Sequence, residues 1–294
     1  MKNIVSGDSF KLEYQQLRAV VLTPWSSLYS RTRFNHSAFI SEVRYKDILF
    51  TQKEQDQPGA KSTGGSGLCS EYKCPGMEDG IRAGEQWLKP GIGVLERKNE
   101  GWNHLDERRT EGLRTFVTAD SRSAVFNVES PKVNGFAYRE TRTITLSEDT
   151  IRLDIALTNT GDQPLELYDY CHNFISLGEE KVGPTYHLRL PVLAETERNF
   201  ENRDMIQEPG GVTWRKTPVQ PFFRISYDTV AGPKSWELYS SNSAISVSEH
   251  DSFHPEHIAV WGTDYCVSAE IYHRICPNPG ETATWRREWT FRTG

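Results

Sequence analysis

The sequence predicts an all-β protein, a large antiparallel β-sandwich built as a single domain over residues 1–294. Two observations carry that expectation. Period-two alternation of apolar and polar residues recurs almost everywhere, which is what a strand with one buried face requires. No window shows the i, i+3, i+4, i+7 spacing of an amphipathic helix, apart from a short helical turn expected within 102–113, WNHLDERRTEGL.

The elements follow in chain order. Phe10, Leu12 and Tyr14 mark an early strand, and Phe39 through Phe50 a second region bent back at Lys46-Asp47. Residues 52–86 break the alternation with glycine, proline and charge, and are expected to form a long loop, either a mobile excursion or a cover over a binding site. Phe136–Leu146 alternates again. Ile151, Leu153, Ile155 and Leu157 share one face before the turn residues Asn159-Thr160-Gly161-Asp162, and a second run from Leu165 is expected to complete a hairpin. Near the C-terminus, Val267, Ala269, Ile271 and Ile275 lie on one side of a strand whose other side shows Cys266, Ser268, Glu270, Tyr272 and Arg274. The final strand carries Trp285, Arg287, Trp289 and Phe291 on one face, after the turn Pro277-Asn278-Pro279-Gly280.

Composition narrows the function classes. The chain has 34 basic and 40 acidic residues, a net charge of −6, and no Lys/Arg cluster longer than a pair. That argues against a nucleic-acid groove, which needs a basic surface, so no nucleic-acid partner is expected. The start MKNIVSGDSFKLEY has no apolar core, and the longest aliphatic run, Ala19-Val20-Val21-Leu22, is short. The reading is therefore a cytoplasmic protein with no membrane span. The five cysteines are an odd number spread along the chain and read as reduced thiols, with Cys69 and Cys74 a pair in a flexible loop. On the same reading the Asn35-His36-Ser37 sequon has no role. The 8 Trp, 12 Tyr and 13 Phe in a polar sequence suit sandwich strands, and equally suit contact with sugar rings, whose C–H faces are apolar.

Two strands carry candidate chemistry. In YDYCHNFISL, residues 168–177, alternation puts Tyr168, Tyr170, His172 and Phe174 on one face and Asp169, Cys171, Asn173 and Ile175 on the other. A lone histidine there is either a packed core imidazole or half of an acid–base pair. Its expected partner is Glu270, mid-strand beside Tyr272 and Arg274, where a carboxylate is expensive unless it has a partner or a cleft to serve. The alternative is an ion pair of Glu270 with Arg274. His250, Asp251, His254, Glu256 and His257 surround a proline in an expected loop and match no standard metal-ligand spacing, so no metal is expected.

PLELYDYCHNFISLG (164–178) resembles the segment of aldose 1-epimerases and other galactose mutarotase-like proteins that carries the catalytic histidine. AVWGTDYCVSAEIYHRICPNPGETATW (259–285) resembles their C-terminal strand with the catalytic glutamate, followed by a Pro-Gly turn and a last long strand. TRFNHSAFISEVRYKD (32–47) and WLKPGIGVLERK (87–98) are similar to a less characterised bacterial branch. The resemblance implies a β-supersandwich whose concave face binds a small-molecule sugar or sugar derivative, with His172 as general acid and Glu270 as general base in anomer interconversion, and with no metal or organic cofactor. Arg33, Lys89, Tyr170, Asn173, Trp261, Tyr272 and Arg274 are the expected substrate contacts. Arg33 and Lys89 could equally be structural ion pairs, and Trp261 a core residue. The family's second histidine has no equivalent, and Cys171 stands where an asparagine usually precedes the catalytic histidine, which argues against ordinary galactose specificity. A non-catalytic sugar-binding protein, or a glycoside hydrolase or lyase using the same cleft, remains open at this stage.

Overall fold

The computed structural model describes residues 3–56, 61–99, 108–190, 204–219 and 234–294, and the backbone of strands Asn199–Phe200 and Phe222–Tyr227. The described residues are organised as antiparallel sheets with a single helical turn, Pro75–Glu78. An eleven-stranded sheet runs in spatial order Asn3–Ile4, Arg114–Ala119, Ser123–Glu129, Tyr138–Ser147, Thr150–Asn159, Thr282–Arg292, Ser246–Asp251, Ser235–Ser240, Tyr186–Arg189, Gly211–Trp214 and Met205–Glu208. A ten-stranded sheet runs Asn199–Phe200, Phe222–Tyr227, His257–Gly262, Val267–Ile275, Leu167–Asn173, Leu68–Lys73, Phe39–Tyr45, Leu17–Leu22 and Ser9–Tyr14, with Ile48–Leu49 folded back onto Phe39–Tyr45. Gln86–Lys89, Gly93–Glu96 and Arg108–Gly112 form a third, small sheet. No helix among the described residues is long and apolar enough to cross a membrane.

The two large sheets pack face to face, as the alternating sequence predicts. Trp285, Arg287, Trp289 and Phe291 point inward from one sheet and are buried. They meet Asp169, Cys171 and Asn173, the face of the histidine strand opposite His172. This interior is unusually polar. The Arg287 guanidinium donates to Asp169 Oδ2 at 2.9 Å and to Glu249 Oε1 at 2.9 Å, with Asp251 Oδ1 at 3.5 Å. Trp285 Nε1 donates to Asp169 Oδ2 at 2.9 Å, Trp289 Nε1 to Asn173 Oδ1 at 3.1 Å, and Asn173 Nδ2 to Glu249 Oε2 at 3.0 Å. Arg142 pairs with Glu140 at 3.1 Å, and Tyr72 donates to the same carboxylate. Such a layer costs desolvation and recovers it only through paired geometry, and it fixes the register of the two sheets because a one-residue slip would turn these charges outward or leave them unpaired.

Several expectations change here. The run from Leu165 does not close a hairpin with 151–157: Thr150–Asn159 and Leu167–Asn173 belong to different sheets, and the turn 159–162 carries the chain across the sandwich. The expected loop 52–86 contains the strand Leu68–Lys73, paired directly with the histidine strand, because Cys69, Glu71 and Lys73 alternate with Ser70 and Tyr72 without the usual aliphatic signature. Cys69 and Cys74 are accordingly buried rather than held in a flexible loop. Of the expected helical turn at 102–113, residues 102–107 lie outside the described residues and Arg108–Gly112 is a strand. His250 and Asp251 end a strand rather than lying in a loop. Asn35 of the sequon is buried, its side chain accepting from Ser37 N–H at 2.8 Å, so in the folded chain it is inaccessible. The bend at Lys46-Asp47 is present, with both residues at positive φ (48° and 63°) in a tight turn.

Gly67 leads into the strand Leu68–Lys73 with φ +61°, and a Cβ there would stand 2.0 Å from the carbonyl oxygen of Ile40. Both the left-handed backbone and the contact exclude a side chain. Gly67→Ala is expected to cost more than about 2 kcal/mol, read as a lowered urea midpoint; an unchanged midpoint would show that the two strands can separate there without penalty.

Candidate functional site

The outward face of the ten-stranded sheet holds the histidine and the glutamate together. In Leu167–Asn173, Tyr170 lies opposite Glu71 and His172 opposite Cys69 of the neighbouring strand. On the other side, Val267–Ile275 brings Ser268, Glu270 and Tyr272 to the same face, and His257–Gly262 adds His257, Ala259 and Trp261, which pair with Tyr272, Glu270 and Ser268 respectively. His172 Nε2 stands 3.2 Å from Glu270 Oε1, and both side chains are buried. Tyr272 donates to Glu270 Oε2 at 3.1 Å, and Ser268 Oγ lies 3.5 Å from Oε1.

The imidazole is held by rings. It stacks on Phe174 (centroids 4.2 Å apart, planes at 10°) and meets Trp261 and Phe34 edge-on at 5.0 and 5.8 Å. Its Nδ1 has no hydrogen-bond partner among the described residues. No acceptor therefore fixes the tautomer, so Nε2 can either accept or donate toward Glu270.

Burial dominates the electrostatics. It lowers the His172 pKa well below 6.5, with the Arg33 charge acting in the same direction, so the imidazole is neutral near pH 7. Burial raises the Glu270 carboxyl from 4.5 to about 7, against the opposing pull of Arg33, the Tyr272 hydroxyl and Lys73. Near pH 7 the pair's titratable proton therefore resides on Glu270 and is lost above about pH 7, while the neutral imidazole keeps its ring N–H.

This has a consequence for stability. Between pH 4.5 and about 7 the folded chain keeps a proton on Glu270 that the unfolded chain releases, so stability falls as pH rises through that window. Above it the cost persists, at most about 3 kcal/mol for a shift of this size. Glu270→Gln is therefore expected to be more stable than wild type at pH 8, with the gain vanishing by about pH 4.5. Urea titrations at the two pH values check it, and an equal difference at both would contradict a raised carboxyl pKa.

A second polar group lies next to the pair. Arg33 Nε donates to Glu71 Oε2 at 3.0 Å, its Nη1 to Thr63 Oγ1 at 3.1 Å, and its Nη2 to Tyr170 Oη at 3.4 Å. Tyr170 also donates to Glu71. Lys89 Nζ donates to Glu71 Oε1 at 3.4 Å and to the Tyr72 carbonyl at 2.6 Å. Thr63 in turn donates to Glu54 Oε2 at 2.7 Å, so part of the segment expected to be a loop over the site is tied to Arg33. Tyr170 and Tyr272 stack on each other (centroids 4.4 Å), and His257 stacks on Tyr272 at 3.9 Å. Their faces are occupied by one another, leaving edges and hydroxyls for any ligand. Half-buried Trp261, beside His172, is not covered in this way.

Of the residues expected from the sequence, His172, Glu270, Arg33, Lys89, Tyr170, Trp261 and Tyr272 gather on or against this face. Two do not. Asn173 points into the sandwich interior, fully buried between Glu249 and Trp289, because it sits one residue out of phase with His172. Arg274 is exposed at the strand end and pairs with Glu166 at 2.8 Å, which leaves Glu270 to His172 rather than to an arginine. Glu71, Lys73, Ser268 and Thr63 were missed. The alternation Cys69, Glu71, Lys73 was the one signal that could have found the first two, and it lies in a stretch with few aliphatic residues. No group of three or more His, Cys, Asp or Glu side chains suited to a metal ion occurs among the described residues.

Two packed antiparallel sheets, with a histidine and a carboxylate in contact within a buried polar and aromatic cluster on one outer face, define a β-supersandwich. The particular form is the galactose mutarotase-like fold. The chain superimposes on a galactose mutarotase related enzyme from Lactobacillus acidophilus with TM-score 0.59, 10% identity and 97% of each chain covered. It matches a galactose mutarotase-like protein from Lactobacillus casei with TM-score 0.60, 10% identity, and 97% of this chain and 100% of that one covered. A galactose mutarotase-like protein from Clostridium acetobutylicum gives TM-score 0.61, 8% identity, and 100% and 99% coverage. No protein-family model and no curated protein sequence matches the chain.

Proposed function

We propose that the protein interconverts the anomers of a free sugar or sugar derivative by acid–base catalysis at His172 and Glu270. The observation that carries this reading is the 3.2 Å contact between His172 Nε2 and Glu270 Oε1, both buried on the outward face of the ten-stranded sheet. Opening a hemiacetal requires a proton delivered to the ring oxygen and another removed from the anomeric hydroxyl. Those two oxygens share one carbon, so two groups already in contact can each reach one of them once the sugar replaces their mutual hydrogen bond.

The resemblance to aldose 1-epimerases implied His172 as acid and Glu270 as base. Burial puts the resting proton on Glu270 instead. For this reaction the assignment is symmetric: the group that gives a proton on opening takes one on reclosure, after rotation about C1–C2 presents the other face. What matters is that the pair holds one proton. A hydrolase would need a second, available carboxyl near Glu270, and Glu71, on the same face, is engaged by Arg33 and Lys89.

One-dimensional exchange NMR of anomeric protons over aldoses, uronic acids and sugar phosphates tests the reading. Catalysed α/β exchange of at least one sugar is expected. Binding without exchange of any of them would make the protein a sugar-binding module.

A further inference from the structure

We propose that Lys73 recognises an anion, and that the sugar taken by this cleft carries a carboxylate or phosphate ester at its C6 end. This rests on the interconversion reading for its reaction, but its recognition chemistry stands on separate residues. Among the described residues, Arg33, Lys89 and Lys73 lie on or beside this face, with Arg274 further along the same rim. The first two are spent internally, since both donate to the buried Glu71 carboxylate. Lys73 is different. It is exposed, and no ion pair to a described acid holds it. At the same rim, across Tyr168 in register, Glu166 is already engaged by Arg274.

The Lys73 side chain nevertheless lies against the aromatic pair beside Glu270. Its Nζ is 5.0 Å from the Tyr272 ring centroid and 5.7 Å from that of Tyr170, above the adjoining edges of the stacked pair. The Tyr272 hydroxyl bonds Glu270, so the ammonium stands about one phenol ring from the carboxyl that would work at C1. Its charge is felt there, being among the groups that hold the Glu270 carboxyl down. A hexopyranose with C1 over the His172–Glu270 pair projects its C6 substituent about one ring width away. A neutral hydroxymethyl would leave the ammonium uncompensated, whereas an anion would pair with it, a charge-assisted contact on an otherwise stacked, edge-on aromatic rim.

The test compares wild type, Lys73→Met and Lys73→Arg on glucose and galactose, their uronic acids and their 6-phosphates. Exchange NMR gives kcat/KM, and ligand-observed titration gives binding. Wild type is expected to prefer an anionic sugar over its neutral parent by tenfold or more. Lys73→Met should reduce that ratio about tenfold, mainly through KM, Lys73→Arg should retain it, and added salt should shrink it in wild type. The larger preference, uronate or 6-phosphate, identifies the source of the anion. Equal use of neutral and anionic sugars, or a preference untouched in Lys73→Met, overturns the proposal and leaves interconversion standing. Lys73-dependent binding of an anionic sugar with no exchange of any sugar does the reverse. No binding and no exchange of any of them removes both.

Discussion

Glu270→Gln is expected to lower kcat/KM for anomer exchange by a factor of about 10²–10⁴, the usual contribution of a positioned acid–base group. Adding His172→Ala should lower it little further, because the two residues share one proton and act as a unit. The pH profile gives a sharper check. His172 is neutral well below pH 6.5, and Glu270 releases its proton at about 7, so the singly protonated pair is the form present below about 7. Above that the pair has lost its acidic proton, and the wild-type rate should fall about tenfold per pH unit. The direction is informative, since a lone carboxylate base would make the rate rise over the same range. A rising limb near pH 7 would therefore sink the shared-proton mechanism while leaving the pair's location intact.

Arg287→Met is expected to have the largest effect on folding. It removes the cation from three buried carboxyls, Asp169, Glu249 and Asp251, and breaking one buried pair alone costs about 3–5 kcal/mol. Against a typical total of about 5–15 kcal/mol, that should leave much of the protein unfolded or insoluble. Asp251→Asn should be far milder, at most about 1 kcal/mol. Burial and the adjacent Glu249 charge push the Asp251 carboxyl well above its ordinary range, so the neutral side chain resembles what is already there. Urea midpoints for the two variants decide it. Comparable losses would mean that packing volume, rather than the uncompensated charges, supports the layer.

The same layer explains what could be read in advance. The inward face Trp285, Arg287, Trp289, Phe291 is evident as alternation, but a sequence does not say which strand an arginine will face. Its acids come from Leu167–Asn173 on the opposite sheet and from Ser246–Asp251 beside it. The turn at 159–162 misled for a related reason: turn residues predict a reversal, but whether the chain reverses within a sheet or crosses to another depends on where the next strand buries its faces. The strand Leu68–Lys73 escaped because its alternating pattern is made of Cys, Ser, Glu, Tyr and Lys. Apart from the exposed Lys73, those residues are buried there, the polar ones by their partners rather than by hydrophobicity.

By itself the sequence determined the all-β class, the two strands that carry His172 and Glu270, and the face of each on which they lie, because a side-chain period of two is a local property of the backbone. Only the tertiary structure decided that the two meet at 3.2 Å. It also turned Asn173 into the interior, paired Arg274 with Glu166, brought Glu71 and Lys73 beside the pair, and raised the Glu270 carboxyl through burial. Those outcomes depend on register between distant strands and on how much water is excluded around each charge, and neither quantity is encoded within any one stretch of chain.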